Sequence, residues 1–214
     1  MTMNEILELK KDIIKYGKKL GEKNMSPATS GNISVRCGEN VLITASGACL
    51  GDLEENEIVL INKDSNVIEG EKKASSEKNL HNAVYELRPD INAIIHCHSP
   101  YVSAFAVCHK PLSKPLISEN VFYFGEIPVA DYGLPGSVKL VENTAKFFTK
   151  HNSVLMANHG IIIGAKDIKN AFYLMETAET FAQIYINSLI LGGAKELSKQ
   201  DIAEIYELRN AMAK

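Results

Sequence analysis

The chain has 214 residues and a formal net charge of -3, with 45% hydrophobic and 23% charged residues, a composition typical of soluble globular proteins. Its basic residues do not cluster, which disfavours nucleic acid as a partner because such binding needs a positive surface. The N-terminus lacks the order of a signal peptide, and no apolar run reaches the roughly 18 residues that span a bilayer. The four cysteines match no zinc-knuckle or CxxC spacing, so we expect reduced thiols in a cytoplasmic protein without a membrane partner.

Strands and helices are predicted in turn along the chain. Apolar residues at helical spacing predict an amphipathic helix at residues 4–20. Alternating or apolar runs between turns predict strands at residues 32–36, 40–46, 57–62, 66–70, 91–98, 126–132, 153–160 and 160–165. Capping and breaker residues predict further helices at residues 75–88, 99–109, 136–151, 167–193 and 198–212. A serine cap is expected to open the helix at 75–88, and Ser99 with Pro100 to open the next helix.

This order of elements predicts one α/β domain over residues 1–214. The sequence contains no internal repeat, no low-complexity stretch and no linker long enough to divide the chain. We therefore expect a mixed, largely antiparallel central sheet that is covered by helices.

Two histidines one residue apart, His96 and His98, end the apolar run AIIHCH. Side chains alternate along a strand, so both imidazoles point to one face and Cys97 points to the other. Taken alone, the pair could equally be two solvated residues at a strand end. Two further residues favour a metal site, because His159 ends another apolar strand and Glu77 lies in the first turn of a helix. Three imidazoles and one carboxylate complete a tetrahedral or near-tetrahedral Zn²⁺ site.

The motifs SGNIS, LITASG, SSE, HCH and NHG occur in this order between residues 30 and 160. Together they resemble the class II aldolase/adducin superfamily and, within it, the L-fuculose-1-phosphate aldolase type. The resemblance implies a three-layer α/β/α fold and a homotetramer with active sites at subunit interfaces. It also implies one Zn²⁺ per subunit, with the ligands Glu77, His96, His98 and His159. Zinc is preferred over manganese or cobalt because it suits three imidazoles with one carboxylate.

Three stretches rich in small residues, TSGNIS, TASGA and ASSEK, lie at strand ends or at a helix start. Their backbone N–H groups and hydroxyls can bind a phosphate without interference from bulky side chains. Serine and glycine often serve only as turn and cap residues, but three such stretches beside a metal site favour phosphate binding. By resemblance, the substrate-phosphate residues are Gly31, Asn32, Ser46, Gly47, Ser75 and Ser76. No GxxxxGK[ST] loop is present, which argues against a nucleotide phosphate.

The resemblance implies a zinc-dependent lyase that acts on a small sugar phosphate. Its substrate would be a ketose 1-phosphate, either L-fuculose 1-phosphate or a 5-deoxypentulose 1-phosphate, and its products dihydroxyacetone phosphate and a small aldehyde. Zinc would stabilise the enediolate that remains when the C3–C4 bond breaks. In these aldolases the metal-bound glutamate leaves the zinc when the substrate binds and acts as acid and base; Glu77 occupies that position.

The second acid/base position departs from the aldolase type, which has a tyrosine there that reaches a neighbouring subunit's site. Here Glu119 occupies the position, with Tyr123 close behind. A glutamate there resembles the methylthioribulose-1-phosphate dehydratase branch, but that branch lacks the glutamate of SSE. We predict an aldolase in which Glu119 transfers protons, with a solvated interface carboxylate as the alternative. In the aldolase type a tyrosine near the C-terminus assists the reaction. Tyr206 is the candidate for that tyrosine here, and Tyr132 is a second candidate.

Other branches of the superfamily give alternative functions. One is the methylthioribulose-1-phosphate dehydratase, and another is a pentulose-phosphate 4-epimerase, whose members usually have aspartate in place of Glu77. A third is a non-enzymatic, adducin-like scaffold that lacks the metal ligands. All four ligand positions are filled in this chain, so a purely structural protein is disfavoured.

Overall fold

The computed structural model describes residues 2–212, and its centre is one eight-stranded sheet. The strands are β1 (Asn32–Cys37), β2 (Asn40–Thr44), β3 (Ile58–Ile61), β4 (Val67–Glu69), β5 (Ala93–Cys97), β6 (Val129–Ala130), β7 (Ser153–Met156) and β8 (Gly160–Ala165). Their spatial order is β4-β3-β2-β1-β5-β8-β7-β6. Every neighbouring pair is antiparallel except β6 and β7, which are parallel. The predicted mixed, largely antiparallel sheet is confirmed.

Helices cover both faces of this sheet. They are α1 (Met3–Glu22), α2 (Lys78–Leu87), α3 (Pro100–Val107), α4 (Ser118–Tyr123), α5 (Val138–Ala145), α6 (Ile168–Ile190) and α7 (Lys199–Met212). Helices α1, α3 and α6 pack on one face, α2 and α5 pack on the other, and α4 packs against α6 and α7. No helix of residues 2–212 is both long enough and apolar enough to cross a membrane.

The alternation of side chains along the strands divides the core into two clusters. On β5, Ile95 and Cys97 are buried among the side chains of α1, α3 and α6, whereas Ile94 is buried among those of α2 and α5. Each large apolar side chain buried in this way contributes about 1.5–3 kcal/mol relative to exposure. These two clusters make the sheet the middle layer of an α/β/α arrangement, as expected.

The predicted serine cap of the helix at 75–88 is wrong, because α2 begins later and its N-cap residue is Glu77. Glu77 therefore precedes the first turn of the helix. The reason is that the Ser75 N–H donates to the Thr44 carbonyl oxygen at 3.1 Å, which keeps this segment extended along β2. Ser75 instead accepts, through its hydroxyl, a hydrogen bond of 3.3 Å from the Glu77 N–H.

Other predicted elements differ from the structure in their bounds, and some elements were not predicted. The strand at 126–132 is reduced to two residues, because the carbonyls of Asp131 and Tyr132 accept from the Asn143 side chain instead of a strand. The helix at 136–151 ends at Ala145, and a tighter 3-10 helix, Lys146–Thr149, follows it. The six-residue helix α4 was not predicted, because its N-cap makes no side-chain hydrogen bond that would mark a helix start. Short 3-10 helices at Leu50–Asp52 and Glu55–Glu57 were missed as well.

Candidate metal centre and active site

The end of β5 and the turn between β7 and β8 bring three histidines together. His96 lies on β5, His98 follows the strand, and His159 lies just before Gly160 at the start of β8. The nitrogen ligand atoms of the three side chains all lie within 4.8 Å of one another. Cys97 points to the opposite face and is fully buried there, so the predicted alternation is confirmed.

The orientation of His96 is fixed by the neighbouring strand. Its Nδ1 lies 2.8 Å from the carbonyl oxygen of Ile161. Because a carbonyl can only accept, Nδ1 carries a hydrogen, which leaves Nε2 as the ring atom available to a metal ion. That Nε2 atom lies 3.0 Å from Nε2 of His98. The hydrogen bond to Ile161 therefore holds the His96 ring with Nε2 towards His98, in an orientation suited to a metal ligand.

Glu77 adds a carboxylate to the histidines. Its Oε2 lies 3.3 Å from Nε2 of His96, and its Oε1 lies 3.4 Å from Nε2 of His159. The side-chain amide of Asn32 donates to Oε2 at 3.0 Å, whereas Oε1 has no hydrogen-bond partner within residues 2–212. The carboxylate is only 4% exposed. A buried carboxylate oxygen that faces imidazole nitrogens and lacks a donor fits a cation as its partner.

The protonation states of these groups also fit a metal. Burial lowers the pKa of both His98 and His159 to about 4, and the neighbouring His96 contributes to this lowering. Burial alone would raise the pKa of Glu77, but the adjoining imidazoles and the Asn32 amide outweigh it and lower that pKa below its usual value. Neutral imidazoles and an ionised carboxylate are the forms that bind metal ions.

Two glycines let the backbone approach the histidines closely. A Cβ on Gly160 would lie 2.9 Å from Cδ2 of His98, so only glycine leaves room for that ring. Gly31 has φ of +78° and lies against the backbone of β5, where its Cβ would come within 3.4 Å of Cα of Cys97 and closer still to the carbonyl oxygen of His96. Both positions therefore have a packing reason to be glycine.

The predicted phosphate residues lie in three segments next to this cluster. Asn32 is the register partner of His96 across the β1–β5 ladder. The Ser46 N–H donates to the carbonyl oxygen of Lys73 at 2.8 Å, which joins the loop after β2 to the segment before α2. Among the predicted phosphate residues, all within residues 2–212, the backbone N–H groups of Gly31, Gly47 and Ser76 make no hydrogen bond. Open N–H groups at the ends of strands are suited to an anion.

Comparisons with known proteins agree with this geometry. The profile of the family described as "Class II Aldolase and Adducin N-terminal domain" matches residues 11–186. The chain belongs to this family.

Named relatives indicate which kind of member it is. The chain is 35% identical to a 5-deoxy-D-ribulose 1-phosphate aldolase of Bacillus thuringiensis, over 92% of both chains. It is 36% identical to an L-fuculose phosphate aldolase of Methanocaldococcus jannaschii, over 85% of this chain and 98% of the relative. A solved structure named L-fuculose 1-phosphate aldolase superposes with a TM-score of 0.87 at 35% identity, covering 94% of this chain and 95% of the other. The protein is thus an enzyme, a class II aldolase of the lyase class, and this family is metal-dependent.

The two further acid/base candidates of this aldolase lie elsewhere in the chain. Glu119 is exposed in the first turn of α4 and lines a cavity of about 1170 Å³ that also includes α6 residues and Arg209. Tyr206 belongs to α7 and packs beside the end of α4, where a Cβ on Gly125 would be 3.0 Å from its hydroxyl. The Arg209 guanidinium stacks 4.6 Å from the centroid of the Tyr206 ring. Within residues 2–212, no hydrogen bond or ring contact joins Glu119 or Tyr206 to the four ligands. Tyr123 and Tyr132 are about half exposed.

The sequence assigned no role to His81, yet the structure buries it fully beside the aldolase centre. Its Nδ1 lies 2.6 Å from the Ser34 hydroxyl, which also lies 2.8 Å from the Tyr85 hydroxyl. Burial lowers the pKa of His81 to about 3, so the ring is neutral at neutral pH. The spacing of four residues from Glu77 on one helix is the sequence signal that could have identified it.

Proposed function

We propose that this aldolase cleaves the C3–C4 bond of a ketose 1-phosphate that ends in a methyl group. The substrate is 5-deoxy-D-ribulose 1-phosphate or L-fuculose 1-phosphate, and the products are dihydroxyacetone phosphate with acetaldehyde or lactaldehyde. The observation that carries this proposal is the buried cluster of three imidazoles and Glu77 beside open backbone N–H groups. The names of the most similar relatives support the same substrates.

The proposed cofactor is one Zn²⁺ per subunit. Its ligands are Nε2 of His96, His98 and His159 together with the carboxylate of Glu77, a donor set that suits zinc. When bound, zinc supplies a Lewis acid for the negative charge that develops on the substrate oxygens. Asn32 and the Ile161 carbonyl oxygen orient two of the ligands through the hydrogen bonds described above.

The proposed phosphate site consists of the three segments beside the cluster. The open N–H groups of Gly31, Gly47 and Ser76 donate to phosphate oxygens, and the hydroxyls of Ser46 and Ser75 add further donors. The Asn32 side chain donates to Glu77 in the structure, so it contributes to both the phosphate site and the metal centre. Fixing the phosphate places C3 and C4 of the substrate beside the carboxylate.

The reaction needs two proton transfers, which we assign to carboxylates. A base removes the proton of the C4 hydroxyl, C4 becomes the aldehyde carbon, and the electron pair of the C3–C4 bond remains on C3 as an enediolate. An acid then protonates C3 to give dihydroxyacetone phosphate. Glu119 of a neighbouring subunit, with help from Tyr206, takes the proton of the C4 hydroxyl and later releases it to solvent. Glu77, next to the cluster, takes up a proton from solvent and donates it to C3 of the enediolate.

The placement of Glu119 supports a shared site and a homotetramer. Its carboxylate is exposed on α4 and has no contact with the metal ligands of its own chain within residues 2–212. An exposed acid on a short helix can serve the centre of an adjacent subunit, which a cyclic assembly repeats for every subunit.

One relative favours a second candidate reaction. The chain is 31% identical to a 3-oxo-tetronate 4-phosphate decarboxylase of Pectobacterium atrosepticum, over 91% of this chain and 90% of the relative. The glutamate at position 119 also keeps a dehydratase or an epimerase reaction among the candidates. The dehydratase and epimerase reactions do not release dihydroxyacetone phosphate. The decarboxylase reaction releases it with CO₂, but from a sugar acid phosphate and not from a ketose phosphate, so the choice of substrate separates that reaction from aldol cleavage.

The test is an assay for dihydroxyacetone phosphate that couples it to NADH oxidation by glycerol-3-phosphate dehydrogenase. Purified enzyme is given 5-deoxyribulose 1-phosphate, fuculose 1-phosphate or methylthioribulose 1-phosphate, each with and without a chelator. We expect a chelator-sensitive signal with one of the first two substrates. No signal with any of them, from protein that contains metal, would contradict the aldolase assignment and favour the decarboxylase or dehydratase reaction.

A further inference from the structure

The start of α3 has an unusual partner for its free N–H groups. Ser99 is the N-cap residue but makes no capping hydrogen bond through its side chain, and Pro100 has no N–H. The N–H groups of Tyr101 and Val102 donate instead to Oε1 and Oε2 of Glu179, both at 2.9 Å. One carboxylate thus satisfies both free donors of this first turn.

Glu179 comes from a distant part of the chain. It lies on α6, 78 and 77 positions from its two partners, and is only 9% exposed. Its negative charge at the start of α3 is favoured by the helix dipole, and hydrogen bonds from N–H groups to a carboxylate are among the stronger ones. The carboxylate therefore fixes the start of α3 to α6.

This attachment bears directly on a metal ligand. Only His98 and Ser99 separate the last residue of β5 from the first residue of α3. The β5 side is fixed by its ladders to β1 and β8, and the α3 side is fixed by Glu179. His96 has a carbonyl oxygen to orient its ring, whereas within residues 2–212 the only hydrogen bond of the His98 ring is with His96 itself. The backbone must therefore determine where the His98 imidazole lies.

We propose that Glu179 is a positioning residue for the metal ligand His98, and through it for the metal centre. This inference rests on the proposed function, because it assumes that the three histidines bind a metal ion. A carboxylate that merely capped α3 would add stability without any effect on the metal. A positioning residue changes the affinity and the geometry of the metal site as well.

The test compares two helix-capping residues on the same helix. Asp167 is the N-cap of α6 and accepts from the Asn170 N–H at 2.8 Å. It follows β8 at the opposite end of that strand from His159. Glu179→Gln and Asp167→Asn each remove one capping charge. Metal-free proteins are titrated with Zn²⁺ in competition with a chromogenic chelator, and the absorption spectrum of bound Co²⁺ reports the coordination geometry.

For Glu179→Gln we expect the Zn²⁺ dissociation constant to rise about tenfold, as for other residues that orient ligands, with an altered Co²⁺ spectrum. Asp167→Asn should lose stability but keep the wild-type affinity and spectrum. Glu179→Asp keeps the charge but is too short to reach both N–H groups, and we expect an intermediate affinity. If Glu179→Gln does not fold, the Zn²⁺ affinity of Glu179→Asp decides whether Glu179 positions His98.

One result would contradict the positioning role of Glu179, and a different result would contradict the metal centre itself. Wild-type affinity and spectrum in the Glu179 variants would make Glu179 a simple cap. Failure of the wild-type protein itself to bind Zn²⁺ would contradict the proposed metal centre instead.

Discussion

The metal centre and the α4–α7 region, residues 117–125 with Tyr206 and Arg209, differ in how complete they are within one chain. The four proposed ligands of the centre come from positions between 77 and 159, yet their donor atoms lie close together and most of their surface is buried. In the α4–α7 region, Glu119 and Tyr123 are exposed beside an open cavity of about 1170 Å³. Polar groups that find all their partners within one chain can be buried, whereas groups that act in the site of a neighbouring chain must stay on the surface. The following experiments test this difference.

The largest expected effect is that of Glu77→Gln. The substitution removes the charge of a proposed ligand and the group proposed to protonate the enediolate, while the amide keeps nearly the same shape. We expect kcat to fall by roughly 10²–10⁴-fold, as for the loss of a general acid or base, together with a lower metal content. Metal analysis and the coupled assay measure both quantities. Near-normal cleavage with full metal content would refute the assigned role.

The next effect is that of Glu119→Ala, for which we expect a fall in kcat of at least about 10²-fold with unchanged zinc. Mixing this variant with Glu77→Gln chains sharpens the comparison. If each site combines Glu77 of one chain with Glu119 of a neighbour, refolding the two variants together should restore roughly a quarter of wild-type activity. No recovery in mixed tetramers would mean that Glu119 does not act in a neighbouring site.

A matched pair of glycine variants tests how tightly the centre is packed. Gly31 and Gly47 both have positive φ, +78° and +79°, but a Cβ would meet other atoms within 4 Å only at Gly31, whereas at Gly47 it would face open space. Gly47→Ala should cost about 1 kcal/mol of stability through backbone strain alone. Gly31→Ala should cost more and should also weaken Zn²⁺ binding, because the methyl group displaces the backbone at His96. Urea unfolding and metal titration measure the two effects, and equal losses in both variants would argue against this packing.

The pH dependence of stability tests the buried side of the centre. The pKa of His81 is about 3 in the folded protein and about 6.5 when unfolded, so the unfolded chain binds a proton first as pH falls. The contribution of His81 to stability is therefore fully present above pH 6.5 and is lost progressively towards pH 3, by about 2 kcal/mol at pH 5. His98 and His159, with pKa values of about 4, add losses of their own as pH falls from 6.5 towards 4. Urea unfolding of metal-free protein at pH 7 and pH 5 should show this loss, and His81→Gln should reduce it.

The smallest effect is expected for Tyr206→Phe. The substitution removes the hydroxyl near Gly125 but keeps the ring that Arg209 stacks on. A tyrosine that only assists proton transfer should change kcat by about tenfold or less, with no effect on metal content. A loss as large as that of Glu119→Ala would make Tyr206 the principal acid.

The clustering of the three histidines was predictable because it depends on local rules. Strand alternation places His96 and His98 on one face, and apolar runs that end at turns indicated His159. The serine cap was predicted wrongly because the contact of Ser75 with Thr44 joins segments that are distant in sequence. The contact of Glu179 with α3 and the surroundings of Glu119 are not local either. Such contacts depend on how helices pack, which residue spacing alone does not determine.

The place of the centre in the sheet has a consequence for local opening of the fold. Strands β1–β4 form one run of successive antiparallel neighbours, and β5 joins this run to β8 across the β1–β5 ladder. Glu77 follows a segment bonded to β2, whereas all three histidines belong to β5, to the residue that follows it or to the β7–β8 turn. An ion bound by all four side chains would therefore link the two halves of the sheet, and separating them would require its release. Amide hydrogen exchange along β1 and β5 should slow in step when Zn²⁺ is added, while the edge strand β4 continues to exchange at its own rate.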